Sequence, residues 1–237
     1  MLRVWDLPTR LFHWLLAATV AAAAATGFLA PEWWLGIHVW AGYGVAGLIV
    51  FRAVWGVYGS QHSRFSDFAY SPRAVLAHLR DLLSGRLADF VGHNPAGAAM
   101  IFALGLVLAG IVASGLVALG GAEKQGVLAG LVSFRTGHAA REVHEVLVLL
   151  LLGLVALHVG GVLLESARGS SNLVLAMITG RKPRPAGAVP PSPRPARPLA
   201  AATALALLAL AGAAAGSALG ALPPLGVRDL QVDATYR

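Results

Sequence analysis

The chain has 237 residues, 57% hydrophobic and only 12% charged, with a mean hydropathy of +0.70. Soluble domains carry roughly 25% charged residues, so most of this surface is expected to face something other than water, and a membrane protein is the starting expectation. The absence of cysteine excludes disulfides, covalently attached haem and metal sites built on thiolates, while the net charge of +7 fits basic cytoplasmic loops better than a nucleic-acid partner.

Five runs are apolar enough to cross a hydrocarbon core of about 30 Å, which takes roughly 20 helical residues. In chain order they are Leu11–Ala30, Leu35–Tyr58, Pro95–Gly121, Val143–Leu164 and Leu199–Leu225. The first is longer than the 7–15 apolar residues of a signal peptide and carries His13 and Trp14, so it reads as a retained span. Between the second and third, Ser71–Leu87 reads as a short amphipathic helix, with Ser71 as N-cap and Pro72 at the first helical position. Asn94 and Pro95 open the third span in the same way. Residues 183–198 form a Pro/Arg-rich linker. The chain thus divides into a bundle over 1–182, the linker, a fifth transmembrane helix over 199–225 and a tail over 226–237. No internal repeat is evident. The fold expected is an all-α membrane protein, a four-helix transmembrane bundle with a fifth C-terminal transmembrane helix.

Lysine and arginine set the direction. With the N-terminus inside, 13 of the 18 basic residues fall in inner segments and five, Lys124, Arg135, Arg141, Arg228 and Arg237, in outer ones. The positive-inside rule therefore places the N-terminus in the cytoplasm and the C-terminus outside.

Of eight histidines, His62, His78, His93 and His138 fall in loops or at interfaces, where solvated or capping roles suffice. His13, His38, His144 and His158 fall inside spans, where an ionisable group is costly and points to function. His144 and His158 are 14 residues apart, about 40° short of four full turns, so both leave one helix face about 21 Å apart along the axis. Topology supplies each with a partner at its own depth: His38 level with His144 near the outer surface, His13 level with His158 near the inner one. Two imidazoles facing each other across a planar macrocycle is a simple way to satisfy both, since neutral imidazole is a common axial ligand of haem iron.

The same 14-residue step leads from His13 to Gly27 and from His38 to Arg52. Gly27, with Gly42 and Gly161, would make room for a macrocycle, although ordinary small-residue packing weighs equally for each. Arg52 is a candidate partner for the propionates of the inner haem. Arg141 is a candidate for the outer ones, with an interfacial snorkelling role of equal weight. Glu145 points about 100° away from His144 and reads either as a proton-relay or quinone-site group or as a side chain reaching water. Trp33, Trp34 and Trp40 read as an interfacial aromatic belt. Neither paired carboxylates within a span nor a nucleophile–base set suggests hydrolytic chemistry.

Four segments together resemble the bacterial cytochrome b561 family and the b-type cytochrome subunits of nickel–iron hydrogenases. They are the opening Val4-Trp5-Asp6-Leu7-Pro8-Thr9-Arg10-Leu11-Phe12-His13-Trp14, the stretch Arg52–Phe68, the run Gly92-His93-Asn94-Pro95-Ala96-Gly97, and the pair His144 with His158. The resemblance spans about residues 3–182 and implies a dihaem bundle with two haem b groups, ligated by His13 with His158 and by His38 with His144. It also implies a respiratory electron carrier in the bacterial inner membrane, working between the quinone pool and a periplasmic c-type cytochrome or hydrogenase-like protein. A bound quinone, a homodimer and a role as the quinone-reactive subunit of an oxidoreductase are compatible with it. A proton-coupled transporter without haem and a membrane anchor subunit are the alternatives; the first lacks the expected repeats and broken helices, and the second leaves four buried histidines unexplained.

Overall fold

The computed structural model describes residues 1–31, 34–86, 90–183 and 195–218. Four long helices form the body: α1 (Leu7–Phe28), α2 (Leu35–Tyr58), α4 (Pro95–Gly121) and α5 (Phe134–Arg168). Each is long and apolar enough to cross a membrane. Their outward faces stay apolar, with Leu106 76% and Leu157 66% exposed, a surface that only hydrocarbon solvates well. The chain is a multi-pass membrane protein.

Local sequence explains where the helices start. Asp6 caps α1 by accepting the Thr9 amide at 2.8 Å, with Pro8 in the first turn. Asn94 caps α4 through Gly97 N, followed by Pro95, and Ser133 caps α5 through Thr136 N. Each cap satisfies an amide that the first helical turn leaves without a partner. The start of α1 therefore lies four residues before the expected Leu11. At 35 residues, α5 is about 52 Å long and outreaches the core on both sides, so His138 lies on its first turns rather than in a loop. The amphipathic segment forms α3 (Pro72–Leu83), capped by Ser71. It ends short of the expected Leu87 at Ser84 and Gly85, the latter at φ +75°.

The pairs α1–α2 and α4–α5 pack as antiparallel hairpins. The ring of Phe12 faces Phe51, and Gly44 approaches Thr19. Where α4 meets α5 the backbones nearly touch: a Cβ on Gly137 would sit 2.5 Å from the Cα of Gly121. Midway along the bundle, Val45, Val107, Leu108 and Leu151 form a buried apolar cluster.

One end of the bundle is closed by parts distant in sequence. Strand β1 (Leu2–Arg3) pairs antiparallel with β2 (Arg181–Lys182), and the short helix α6 (Leu173–Thr179) precedes β2. Gly180, at φ +78°, turns the chain out of α6 and offers its carbonyl to Val4 N and Trp5 N. A Cβ there would lie 2.6 Å from the Trp5 carbonyl. Trp5 is buried against Val4 and Ala176.

Beyond the bundle, α7 (Pro198–Ala218) packs against α2. Arg197 N donates to Tyr58 O at 3.2 Å and Arg64 Nη2 to Pro195 O at 3.2 Å, and Ala204 is buried. Most of the expected linker (residues 184–194), the last part of the expected fifth span (219–225), the tail and Trp33 lie outside the described residues.

Candidate functional site

The four intramembrane histidines meet in two pairs. The rings of His38 (α2) and His144 (α5) have centroids 6.1 Å apart, and those of His13 (α1) and His158 (α5) 6.4 Å. A metal–imidazole bond of about 2.0 Å, plus roughly 1.1 Å from nitrogen to ring centroid, sets two imidazoles across one metal at about 6.2 Å. Both pairs have that spacing. Among the described residues no three His, Asp or Glu side chains cluster as a metal site, so each pair offers two protein ligands. Haem iron is a metal of that kind, since its macrocycle fills the other positions.

Around the His38–His144 pair lies a cavity enclosing about 850 Å³ of empty space, its mouth included. Walls come from all four long helices, among them Val20, Val39, Ile111, Leu116 and Val148. An apolar slot with a few convergent polar groups is the usual form of a cofactor site. Leu151, of the central apolar cluster, forms part of its floor. It is seven residues from both His144 and His158, so the cluster stands between the two pairs.

The imidazoles of the His38–His144 pair are held from behind. Nδ1 of His38 lies 3.0 Å from Ala23 O and 3.4 Å from Thr26 Oγ1 on α1. Nδ1 of His144 lies 2.9 Å from Ile111 O and 3.4 Å from Ser114 Oγ on α4. A carbonyl can only accept, so both Nδ1 atoms carry the proton and both Nε2 atoms keep a free lone pair for a metal. The glycines complete the cradles. A Cβ at Gly27 would come within 3.3 Å of His38 Cε1, and one at Gly115 within 3.2 Å of His144 Cε1. Gly27 thus makes room for the His38 imidazole. Gly42 lines the cavity, and a side chain at Gly42 or Gly161 would meet nothing within 4 Å.

A prokaryotic cytochrome b561 family model matches residues 4–180. The chain belongs to this family. No curated protein and no solved structure matches significantly. Membership makes it a membrane b-type cytochrome of electron transfer, with haem b as the implied group; the apolar cavity and the metal-spaced imidazoles fit that group.

The remaining parts of this b561-type bundle fall into place around the histidines. Arg52 lies at the depth of His13, as the Phe12–Phe51 contact shows. Its guanidinium stacks 4.5 Å over Phe65, and its Nη1 is buried without a hydrogen-bond partner among the described residues, as is Nε of Arg10. A buried, unpartnered nitrogen on each of these arginines, towards the His13 end of the bundle, suits an anionic group such as a propionate. Arg141 is placed differently. Its side chain is 60% exposed and pairs with Glu145 at 3.4 Å and Glu123 at 3.9 Å, so two carboxylates share its charge. Glu145, in the same pair, is 66% exposed on the outside of the bundle.

Conserving the closed end takes several of the quoted signature residues. Asp6 accepts from Trp55 Nε1 at 3.0 Å and Ser63 Oγ at 3.1 Å besides capping α1. Burial pushes its carboxyl up, but hydrogen bonds from Ser60, Thr9 and Ser63 outweigh that and hold it below its ordinary value. His93 stacks between Trp5, at 4.4 Å, and Phe68, at 4.5 Å. Burial, reinforced by Arg52, Lys182 and His62, pushes it down to about 3, so it is a neutral packing residue. His62 pairs with Asp67 at 3.0 Å, and His78 is buried against Phe90.

Sequence reasoning passed over Thr26, Ser114, Gly115 and Tyr43. Tyr43 lines the cavity and its buried hydroxyl has no partner among the described residues. The one available signal was its place on the cavity face of α2, five residues from His38.

Proposed function

We propose that this cytochrome carries electrons across the bacterial inner membrane through two bis-histidine haems, between the quinone pool and a periplasmic redox protein. The observation that supports it best is the pair of imidazole contacts at 6.1 and 6.4 Å, each at the span of two ligands on one iron. His38 with His144 would hold the outer haem and His13 with His158 the inner one, the N-terminus being cytoplasmic by the positive-inside count. The group itself supplies a one-electron couple when bound. The chain's own part is to present Nε2 from both sides, exclude water with the apolar walls, and offer Arg52 and Arg10 to the inner propionates and Tyr43 to the outer ones. Were each histidine pair to hold an iron, neither would leave a protein-side position open to oxygen. On this reading α7 crosses the membrane beside α2.

A dithionite-reduced minus oxidised spectrum, with haem quantified per purified chain, tests the proposal. Two haem b groups per chain are expected, and addition of a quinol should reduce part of them. A folded, colourless protein would falsify it.

A further inference from the structure

The helix α3 follows the last residue of α2, Tyr58, precedes the first of α4, Pro95, and packs on α4. Just ahead of it, the Tyr70 hydroxyl donates to His93 O, near the start of α4, at 3.0 Å. These ties hold α3 beside the ends of two spans, at the level where hydrocarbon gives way to headgroups. At 100° per residue, Val75, His78 and Leu82 share one arc of about 60° and Leu76, Leu79 and Leu83 the next. The first arc is the packed one. His78 is buried with its ring perpendicular to that of Phe90, and Val75 and Leu82 are partly buried. The second is bare, with Leu76 51%, Leu79 42% and Leu83 85% exposed.

Arginines border that bare stripe. Arg73 and Arg80 lie about 40–60° beyond Leu76 on its far side, and Arg86 stands just past the helix end, its amide donating to Asp81 O at 2.8 Å. None of the three forms an ion pair among the described residues. An apolar stripe edged with arginines is the pattern of a helix lying in a membrane interface, its cationic heads among the headgroups and their stems over the acyl chains. Two other covers fit the charge badly. A second copy of this chain would bring the same three cations to the contact, and residues 184–194 carry Arg184 and Arg194 and no acid. An anionic lipid surface complements it.

We propose that α3 is a site for anionic phospholipids, with Leu76, Leu79 and Leu83 set into the edge of the leaflet and Arg73, Arg80 and Arg86 holding lipid phosphates. The leucines give the helix its depth, and the arginines select the headgroup. Charge rather than a fixed hydrogen-bond fork makes the selection, so it weakens with salt and survives exchange of arginine for lysine.

The chain has no cysteine, so a single introduced one can be labelled cleanly in the full-length protein, reconstituted in vesicles of phosphatidylcholine and phosphatidylglycerol in equal parts. A spin label on Leu79→Cys or Leu83→Cys should meet apolar oxygen more than a water-soluble nickel chelate, and one on Asp81→Cys the reverse. A fluorophore on Leu83→Cys should be quenched more by nitroxide-labelled phosphatidylglycerol than by phosphatidylcholine carrying the same nitroxide. Arg73→Gln and Arg80→Gln should each lower that preference by roughly fivefold, and Arg80→Lys should keep it. All these side chains are exposed, so the exchanges leave the packed arc of α3 intact. Labels at Leu79 and Leu83 that meet the chelate, or that are shielded from both reagents, overturn the proposal; in the second case dipolar broadening between labels would identify a second copy as the cover. Equal quenching by the two lipids, or a preference unmoved by both glutamine variants, overturns the anionic selection.

Discussion

Gly115→Val probes how tightly the outer imidazole is held. A Cβ at this position would already stand 3.2 Å from Cε1 and Nδ1 of His144, closer than side-chain carbons comfortably pack, and valine adds two methyls beyond it. The ring must swing away from α4 and lose its 2.9 Å bond to Ile111 O. Overpacking costs about 1–3 kcal/mol and the lost hydrogen bond about 1 kcal/mol more. Together these weaken the outer haem by about 2–4 kcal/mol, roughly 30- to 900-fold in affinity. Haem per chain, measured with limiting haem, should fall from two towards one, with Gly115→Ala intermediate. Gly105→Ala is the control, because a Cβ there meets nothing within 4 Å. Full haem content and an unchanged spectrum in Gly115→Val would refute the cradle.

Single replacements His13→Ala and His38→Ala should each remove one haem and spare the other, as read by haem per chain; joint loss from both would contradict independent sites. Gly137→Leu should cost about 3 kcal/mol or more, since even a Cβ there lies 2.5 Å from the Gly121 backbone; the midpoint of thermal unfolding measures it. His93 gives a pH dependence. Its value is lowered in the fold to about 3, so the unfolded chain binds the proton first as pH falls below about 6.5, and stability drops with acid from there towards pH 3. At pH 5 the loss is about 2 kcal/mol, and His93→Phe should show a flatter profile between pH 7 and 5. Equal profiles would show that His93 is not held neutral.

Much of the fold was legible because its signals are local. Ser71-Pro72 and Asn94-Pro95 mark helix starts through chemistry confined to a few residues, and the span lengths follow from hydropathy. The step from His144 to His158 could be read because one straight helix carries both. What escaped lies in long-range or backbone features. The carbonyls of Ala23 and Ile111 leave no trace in side-chain identity, and Thr26 and Ser114 look like ordinary small polar residues until a histidine from another helix arrives. For Arg141 the propionate and snorkelling readings weighed equally because Glu123, 18 residues earlier, could not be placed beside it. The strand pair of Leu2–Arg3 with Arg181–Lys182 joins residues too short in run and too distant in sequence to show any periodicity.

That strand pair also orders events during biosynthesis. Its first half leaves the ribosome well before its second, which waits for residue 181. Until then the tryptophan and aspartate near the chain start have no α6 to settle against, and that end of the bundle stays unlatched. Closure of that end therefore comes after all four long helices have been made.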